Sequence, residues 1–203
     1  MGEKFIVNPS VLIPRDETEI LVRKAIELIN TNNFKMALDV GTGSGCIACM
    51  VAKHSNCQII GLDISSDALN TALDNASRLN LFNKAIFRKS DIFSNVKDGE
   101  SFDIIISNPP YIPPSEKAGI QTEVKFDPEL ALFTKDEKGL EFYEKISQGA
   151  PKILNKGGYL LFELGIDQST DVKNIMEKCG FSEIEIIKDL AGIDRVCCGR
   201  IVK

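Results

Sequence analysis

The sequence predicts an α/β fold, with one seven-stranded, mainly parallel sheet whose last strand runs antiparallel. Three observations predict it. Short apolar runs alternate with segments of helical periodicity, the arrangement that builds parallel sheets. A glycine-rich loop, "GTGSG", stands between the first apolar run and the helix after it. The last two strand-like runs are joined by "LAGI" alone, too short for a right-handed crossover, so they pair antiparallel.

The elements follow in order. "ETEILVRKAIELIN" (17–30) places Ile20, Leu21, Ala25, Ile26, Leu28 and Ile29 at helical spacing between charged residues. "MALDV" (36–40) is a short strand running into the glycine loop, and residues 45–54 read as a helix. "QIIGLD" (58–63) is the second strand, and "SDALNTALDNASRLN" (66–80) is a helix with Ser65 or Ser66 as its N-cap. "KAIFRKSD" (84–91) and "FDIIIS" (102–107) are the third and fourth strands. After an irregular stretch, "GLEFYEKISQGAPKIL" (139–154) is a helix with Pro151 near its end or kinking it. "GGYLLFEL" (157–164) is the fifth strand, "STDVKNIMEKCG" a helix closed by Gly180, and "SEIEIIKD" and "DRVCCGRIV" the final strands. This is the order of the Rossmann-like class I methyltransferase sheet, which by itself gives no function.

Composition narrows the class. The 203 residues, 43% hydrophobic, are enough for one large domain with a sizeable core. A net charge of −5 argues against a strongly basic nucleic-acid-binding surface. No apolar run spans a bilayer, and "MGEKFIVNPS" lacks the basic start and apolar stretch of a signal peptide, so a cytoplasmic protein is expected. Cys46 and Cys49 form C-x-x-C, but no second such pair exists and His54 is the only histidine. These and the other cysteines read as core or helix-face residues of a reducing compartment, and no metal is expected. Cys197 and Cys198 are adjacent in a strand and point to opposite faces.

The glycine loop admits three readings. A Walker A loop ends in G-K-[ST], which is missing here. A dinucleotide fingerprint is G-x-G-x-x-G, and its last glycine falls on Cys46. The third is the S-adenosylmethionine loop, "DxGxGxG", with Gly41, Thr42, Gly43, Ser44 and Gly45 around the ligand. Asp63 ends the second strand, where a carboxylate accepts both hydroxyls of a ribose. Asp91 ends the third; in the methyltransferase reading it accepts the adenine amine while Ile92 packs on the ring. All lie at the carboxyl edge of the sheet, where open α/β folds bind ligands.

"SNPPY" (107–111) closes the fourth strand beside the same crevice. Its prolines fix φ and hold the chain rigid. The Asn108 side-chain oxygen and the Pro109 carbonyl are two fixed acceptors, suited to a substrate NH₂ group with two donors. With Pro110 they set Tyr111 as a flat face for a planar group. An amide or exocyclic amine is a poor nucleophile because its lone pair is delocalised. Holding both N–H bonds orients that lone pair and offsets the charge that develops on methyl transfer. Asn108 also borders the cofactor side of the crevice.

With these residues in hand, the chain resembles the release-factor glutamine methyltransferases, the HemK/PrmC family. "VLIPRDETE" (11–19) is similar to the family's "LIPRPETE", with Asp16 for the usual proline. "LDVGTGSG", "SDIF" and "SNPPYIP" match in order and spacing. "FDPELALF" (126–133) resembles "EP-x-x-AL" with Asp127 for glutamate, and "DLAGIDRVCCGR" resembles the closing "D-x-x-G-x-x-R". The resemblance implies an S-adenosyl-L-methionine-dependent enzyme whose substrate is the glutamine of the Gly-Gly-Gln loop of a peptide-chain release factor. It also implies that Asn108 and Tyr111 hold the glutamine amide. Residues 1–33 are then an entry segment and first helix packed on a methyltransferase domain of 34–203. Family members usually carry a helical N-terminal domain that grips the release factor; it is absent from the sequence, and a piece of a longer protein is expected.

"NPPY" alone is shared with enzymes that methylate adenine or guanine amines, so an N6-adenine methyltransferase of DNA or RNA is the alternative. A domain that binds the nucleoside without transferring a methyl is a third. No nucleic-acid or membrane partner is expected. Arg15 and Glu19 either line the cofactor pocket or anchor the first helix.

Overall fold

Strand β1 (Met36–Val40) lies at the centre of the sheet, paired in parallel with β2 (Gln58–Asp63) and with β4 (Phe102–Ser107) in the computed structural model, which describes residues 1–117, 119 and 127–202. Outside β2 lies β3 (Ala85–Lys89); outside β4 lie β5 (Leu154–Glu163), then β7 (Asp194–Ile201) and β6 (Phe181–Lys188). The order β3-β2-β1-β4-β5-β7-β6 reverses direction between β1 and β4, and a crevice opens at such a switch point. β7 is antiparallel to both β5 and β6, as the short "LAGI" connection requires.

Helices cover both faces. α1 (Thr18–Asn32), α2 (Cys46–His54) and α3 (Ser66–Arg78) pack on one face, against Ala37, Ile59, Ile104, Ile106 and Cys198. α5 (Glu141–Ile153) and α6 (Ser169–Lys178) pack on the other, against Leu38, Ile60, Ile105, Phe162 and Cys197. The alternation along β1 and β4 is the two-residue period of a strand buried on both sides. Cys197 and Cys198 take opposite faces for the same reason. The Ser65 hydroxyl accepts from Ala68 N at 3.2 Å and is the N-cap of α3.

Several element boundaries differ from the sequence reading. β3 stops at Lys89, two residues before Asp91, because the Ser90 hydroxyl donates to Ile92 O at 2.9 Å and accepts from Asn95 N at 3.0 Å, which curls the chain. β5 starts at Leu154, earlier than residue 157: Leu154 pairs with Phe102 and Tyr159 with Ile104, so the register shifts between them. The stretch after β4 contains a 3₁₀ turn (Pro114–Glu116) and the short helix α4 (Glu129–Leu132). Phe126, the first residue of "FDPELALF", lies outside the described residues.

Cys46 and Cys49 sit in the first turn of α2, and burial pushes both thiols up to about 12. They stay protonated at neutral pH. The fold rests on the central strands. Replacing Ile105, fully buried in β4, with alanine is expected to destabilise the chain by about 2–5 kcal/mol, measured by urea unfolding. A loss below 1 kcal/mol, about the value for an exposed site, would contradict the packing described here.

Candidate active site

The four central strands end almost level. Val40 of β1 is paired with Leu62 of β2 and with Ser107 of β4. The next residues along those strands are Gly41, Asp63 and Asn108, which therefore share one edge of the sheet. Two hydrogen bonds hold the edge together. Ser107 Oγ donates to Val40 O at 2.7 Å, and Gly43 N donates to Asp63 Oδ2 at 2.9 Å.

The glycine loop has positive φ at Gly41, Gly43 and Gly45. Gly43, at φ 53°, faces open space, since a Cβ built there meets nothing within 4 Å. Its backbone is thus free to approach a ligand closely. Gly45 is glycine for packing as well: a Cβ there would lie 2.9 Å from Ala72 Cβ of α3. Thr42 and Ser44 are buried, and the Thr42 hydroxyl donates to Asp39 Oδ2 at 2.6 Å. These two residues line the loop through their backbone. Asp39, the acid of "LDVGTGSG", is fully buried with Oδ1 unpartnered, and desolvation pushes its carboxyl up to about 7.

Asp63 has a double role. Its Oδ2 holds Gly43 N and its Oδ1 accepts from Ser65 N at 2.9 Å. Each oxygen keeps a further lone pair for a ligand hydroxyl. Burial raises the carboxyl, against the hydrogen bonds from Ser65 and Gly43. Asp91 is exposed, and among the described residues its carboxylate has no hydrogen-bond partner. Ile92 beside it takes φ 48° and is half-buried.

At the end of β4, Pro109 is buried, and Pro110 and Tyr111 are half-buried. Asn108 Nδ2 points inward, 3.5 Å from Thr18 Oγ1 at the start of α1. Tyr111 is fixed from behind: Gln168 Nε2 donates to Tyr111 O at 3.0 Å and to Lys138 O at 3.1 Å. Gly139 allows this, since a Cβ there would lie 2.0 Å from Tyr111 O. Burial and the neighbouring Glu163 push the Tyr111 phenol up to about 12, so it stays protonated at neutral pH. Glu163, the last residue of β5, is buried beside Asn108 and Thr18, and its Oε2 has no hydrogen-bond partner among the described residues.

The comparisons decide between the readings of this edge. A family model described as "Methyltransferase domain" matches residues 32–193. The catalytic domain of human Mettl16, solved in complex with an MAT2A 3′UTR hairpin, superposes with a TM-score of 0.77 over all of this chain and 77% of its own at 15% identity, which shows the fold alone. The release factor glutamine methyltransferase of Clostridium acetobutylicum is 41% identical over 199 residues, 97% of this chain and 70% of its own length. The chain belongs to the release factor glutamine methyltransferase family. A solved member, the release-factor-specific protein-(glutamine-N5) methyltransferase of Alicyclobacillus acidocaldarius, matches with a TM-score of 0.59 and 28% identity over 98% of this chain and the whole of its own.

S-adenosylmethionine is the cofactor of this family, and the edge fits it: an open backbone face at Gly43, a half-buried acid at Asp63 and an exposed acid at Asp91. The segments that carry the family resemblance meet one another in the fold. Arg15 of the entry segment pairs with Asp127 at 2.5 Å, and Ile13 N donates to the same carboxylate at 3.0 Å. Arg15 also lines a cavity of about 240 Å³ between the N-terminal residues and α2. Glu19 pairs with Arg23 and with the Met1 amino group, anchoring α1. In the closing hairpin, Asp189 accepts from Ala191 N, Ile193 N and Arg195 Nε. Arg195 thereby reaches Glu17 at 3.6 Å.

Thr18, Glu163 and Gln168 were not among the residues the sequence singled out. Alanine at Asp63 removes the carboxylate expected to accept the ribose hydroxyls and frees Gly43 N together. Methyl-donor affinity by calorimetry is expected to fall about tenfold or more; an unchanged affinity refutes the ribose assignment.

Proposed function

We propose that this chain transfers a methyl group from S-adenosylmethionine to the side-chain amide nitrogen of the glutamine in the Gly-Gly-Gln motif of peptide-chain release factors, giving N5-methylglutamine. The observation that carries this reading is the 41% identity over 97% of the chain to a release factor glutamine methyltransferase. S-adenosylmethionine supplies a methyl group activated by its sulfonium and leaves as S-adenosylhomocysteine.

The chain's own residues do the rest. Among the described residues the Pro109 carbonyl accepts no hydrogen bond, and Asn108 Nδ2 is turned inward, which supports Asn108 Oδ1 as the second acceptor. The two oxygens take the two N–H bonds of the glutamine amide and direct its lone pair at the methyl group. As the bond forms, positive charge grows on that nitrogen, and both fixed oxygens offset it until one N–H proton is released to solvent and neutral N5-methylglutamine remains. Tyr111, held by Gln168 and Gly139, gives the planar amide a rigid face. Pro110 keeps the turn from relaxing. Gly41 to Gly45, Asp63, Asp91 and Ile92 hold the methyl donor. Asn108 sits between donor and acceptor.

The partner is a release factor, reached in the cytoplasm; among the described residues no helix is long and apolar enough to cross a membrane. The adenine-methylating alternative shares the "NPPY" chemistry but finds no support in the net charge of −5.

Two measurements test the reading. With labelled methyl donor, a release factor is expected to take up label and adenine-containing nucleic acid is not; the reverse pattern would sink the proposal. Asn108→Ala is expected to cut transfer about a hundredfold or more while methyl-donor affinity stays within about threefold. Equal loss of both would show that the roles are divided differently.

A further inference from the structure

Glu163 is a buried carboxylate that the reading above leaves without a task. It is 3% exposed, at the carboxyl end of β5. Its neighbour Phe162 pairs with Ser107, so Glu163 stands level with Asn108 across the β4–β5 pair. Its backbone is fixed, since Tyr143 Oη donates to Glu163 O at 2.9 Å. Oε2 is buried and has no hydrogen-bond partner among the described residues. A buried acid with an unpartnered oxygen is costly, and an apolar residue would pack there more cheaply.

We propose that Glu163 is a positioning residue: it accepts from Asn108 Nδ2 and so holds the Asn108 amide with Oδ1 towards the substrate. The reason is chemical. The two ends of a carboxamide have nearly the same shape, and a flip would put the Asn108 NH₂ against the substrate NH₂, donor against donor. Thr18 cannot prevent this, because a hydroxyl donates or accepts equally well. An ionised carboxylate only accepts, so beside Glu163 a single orientation of Asn108 survives. A protonated Glu163 carries a donor and loses that discrimination.

The groups that face Glu163 come from several elements. Thr18 and Asn108 beside it favour its ionised form, Glu17 of the entry segment repels it, and Arg195 of β7 attracts it. The Tyr111 and Tyr143 hydroxyls and the Cys46 thiol also feel its charge. Burial outweighs the favourable partners and pushes the carboxyl up to about 7. Ionisation thus falls within the working range: the acid is protonated below that pH and ionised above it. Transfer is expected to rise with pH through this step.

The inference rests on the proposed glutamine methylation, and one assay separates the two. Wild type and Glu163→Gln are compared for methyl transfer to a release factor from pH 6 to 9, with methyl-donor affinity and thermal unfolding measured alongside. The glutamine variant is expected to lose kcat about tenfold or more at high pH, with donor affinity within about twofold, an undiminished Tm and no step near pH 7. A variant that keeps wild-type kcat, or keeps the pH step, overturns the inference. So does a loss of kcat matched by an equal loss of donor affinity. A wild type that labels no release factor overturns the functional reading itself.

Discussion

Everything at this site depends on how β4 stops. Its ladder runs beside β1 up to Ser107, whose hydroxyl is bonded to Val40 O at 2.7 Å. Asn108 is the first residue past that staple, and the two prolines after it remove the donors and the freedom that a longer strand would need. The turn lies at the point where the strand order reverses, so it faces the glycine loop instead of another strand. One rigid turn therefore puts two oxygens and a ring next to the place where the loop backbone is open.

Contacts far apart in the chain hold that turn. Thr18 meets it from α1, Gln168 from the start of α6, and Glu163 from β5. Arg15 ties the entry segment to Asp127, and Ile112 N donates to Leu132 O at 3.0 Å, which ties the turn to α4. The closing hairpin adds Arg195, held by Asp189 at 2.8 Å and directed at Glu17. The entry, post-loop and closing segments are remote in sequence but form one belt around the turn.

The sheet was legible because its signals are local. Alternation along "MALDV" and "FDIIIS", the loop "GTGSG" and the short link "LAGI" each specify their own geometry. Asp63 was legible as well, because its place after β2 is defined by the strand, though its grip on Gly43 N was not. Thr18, Glu163 and Gln168 were not, because each looks ordinary in its own element and acquires meaning only against Asn108 or Tyr111. The strand ends moved for a similar reason: Ser90 curls the chain before Asp91 through side-chain bonds that no periodicity reports. Arg15 and Glu19, equivalent in the sequence, line the same cavity and differ in their partners, Asp127 for Arg15 and Arg23 for Glu19.

The account turns on one claim, that Asn108 Oδ1 and the Pro109 carbonyl together hold a glutamine amide. A crystal structure of the chain with S-adenosylhomocysteine and a release factor tests it most directly. The account predicts the Gly-Gly-Gln glutamine nitrogen within about 3 Å of both oxygens, its plane against Tyr111. A glutamine nitrogen bonded to neither oxygen, with the Asn108 amide turned the other way, would contradict it.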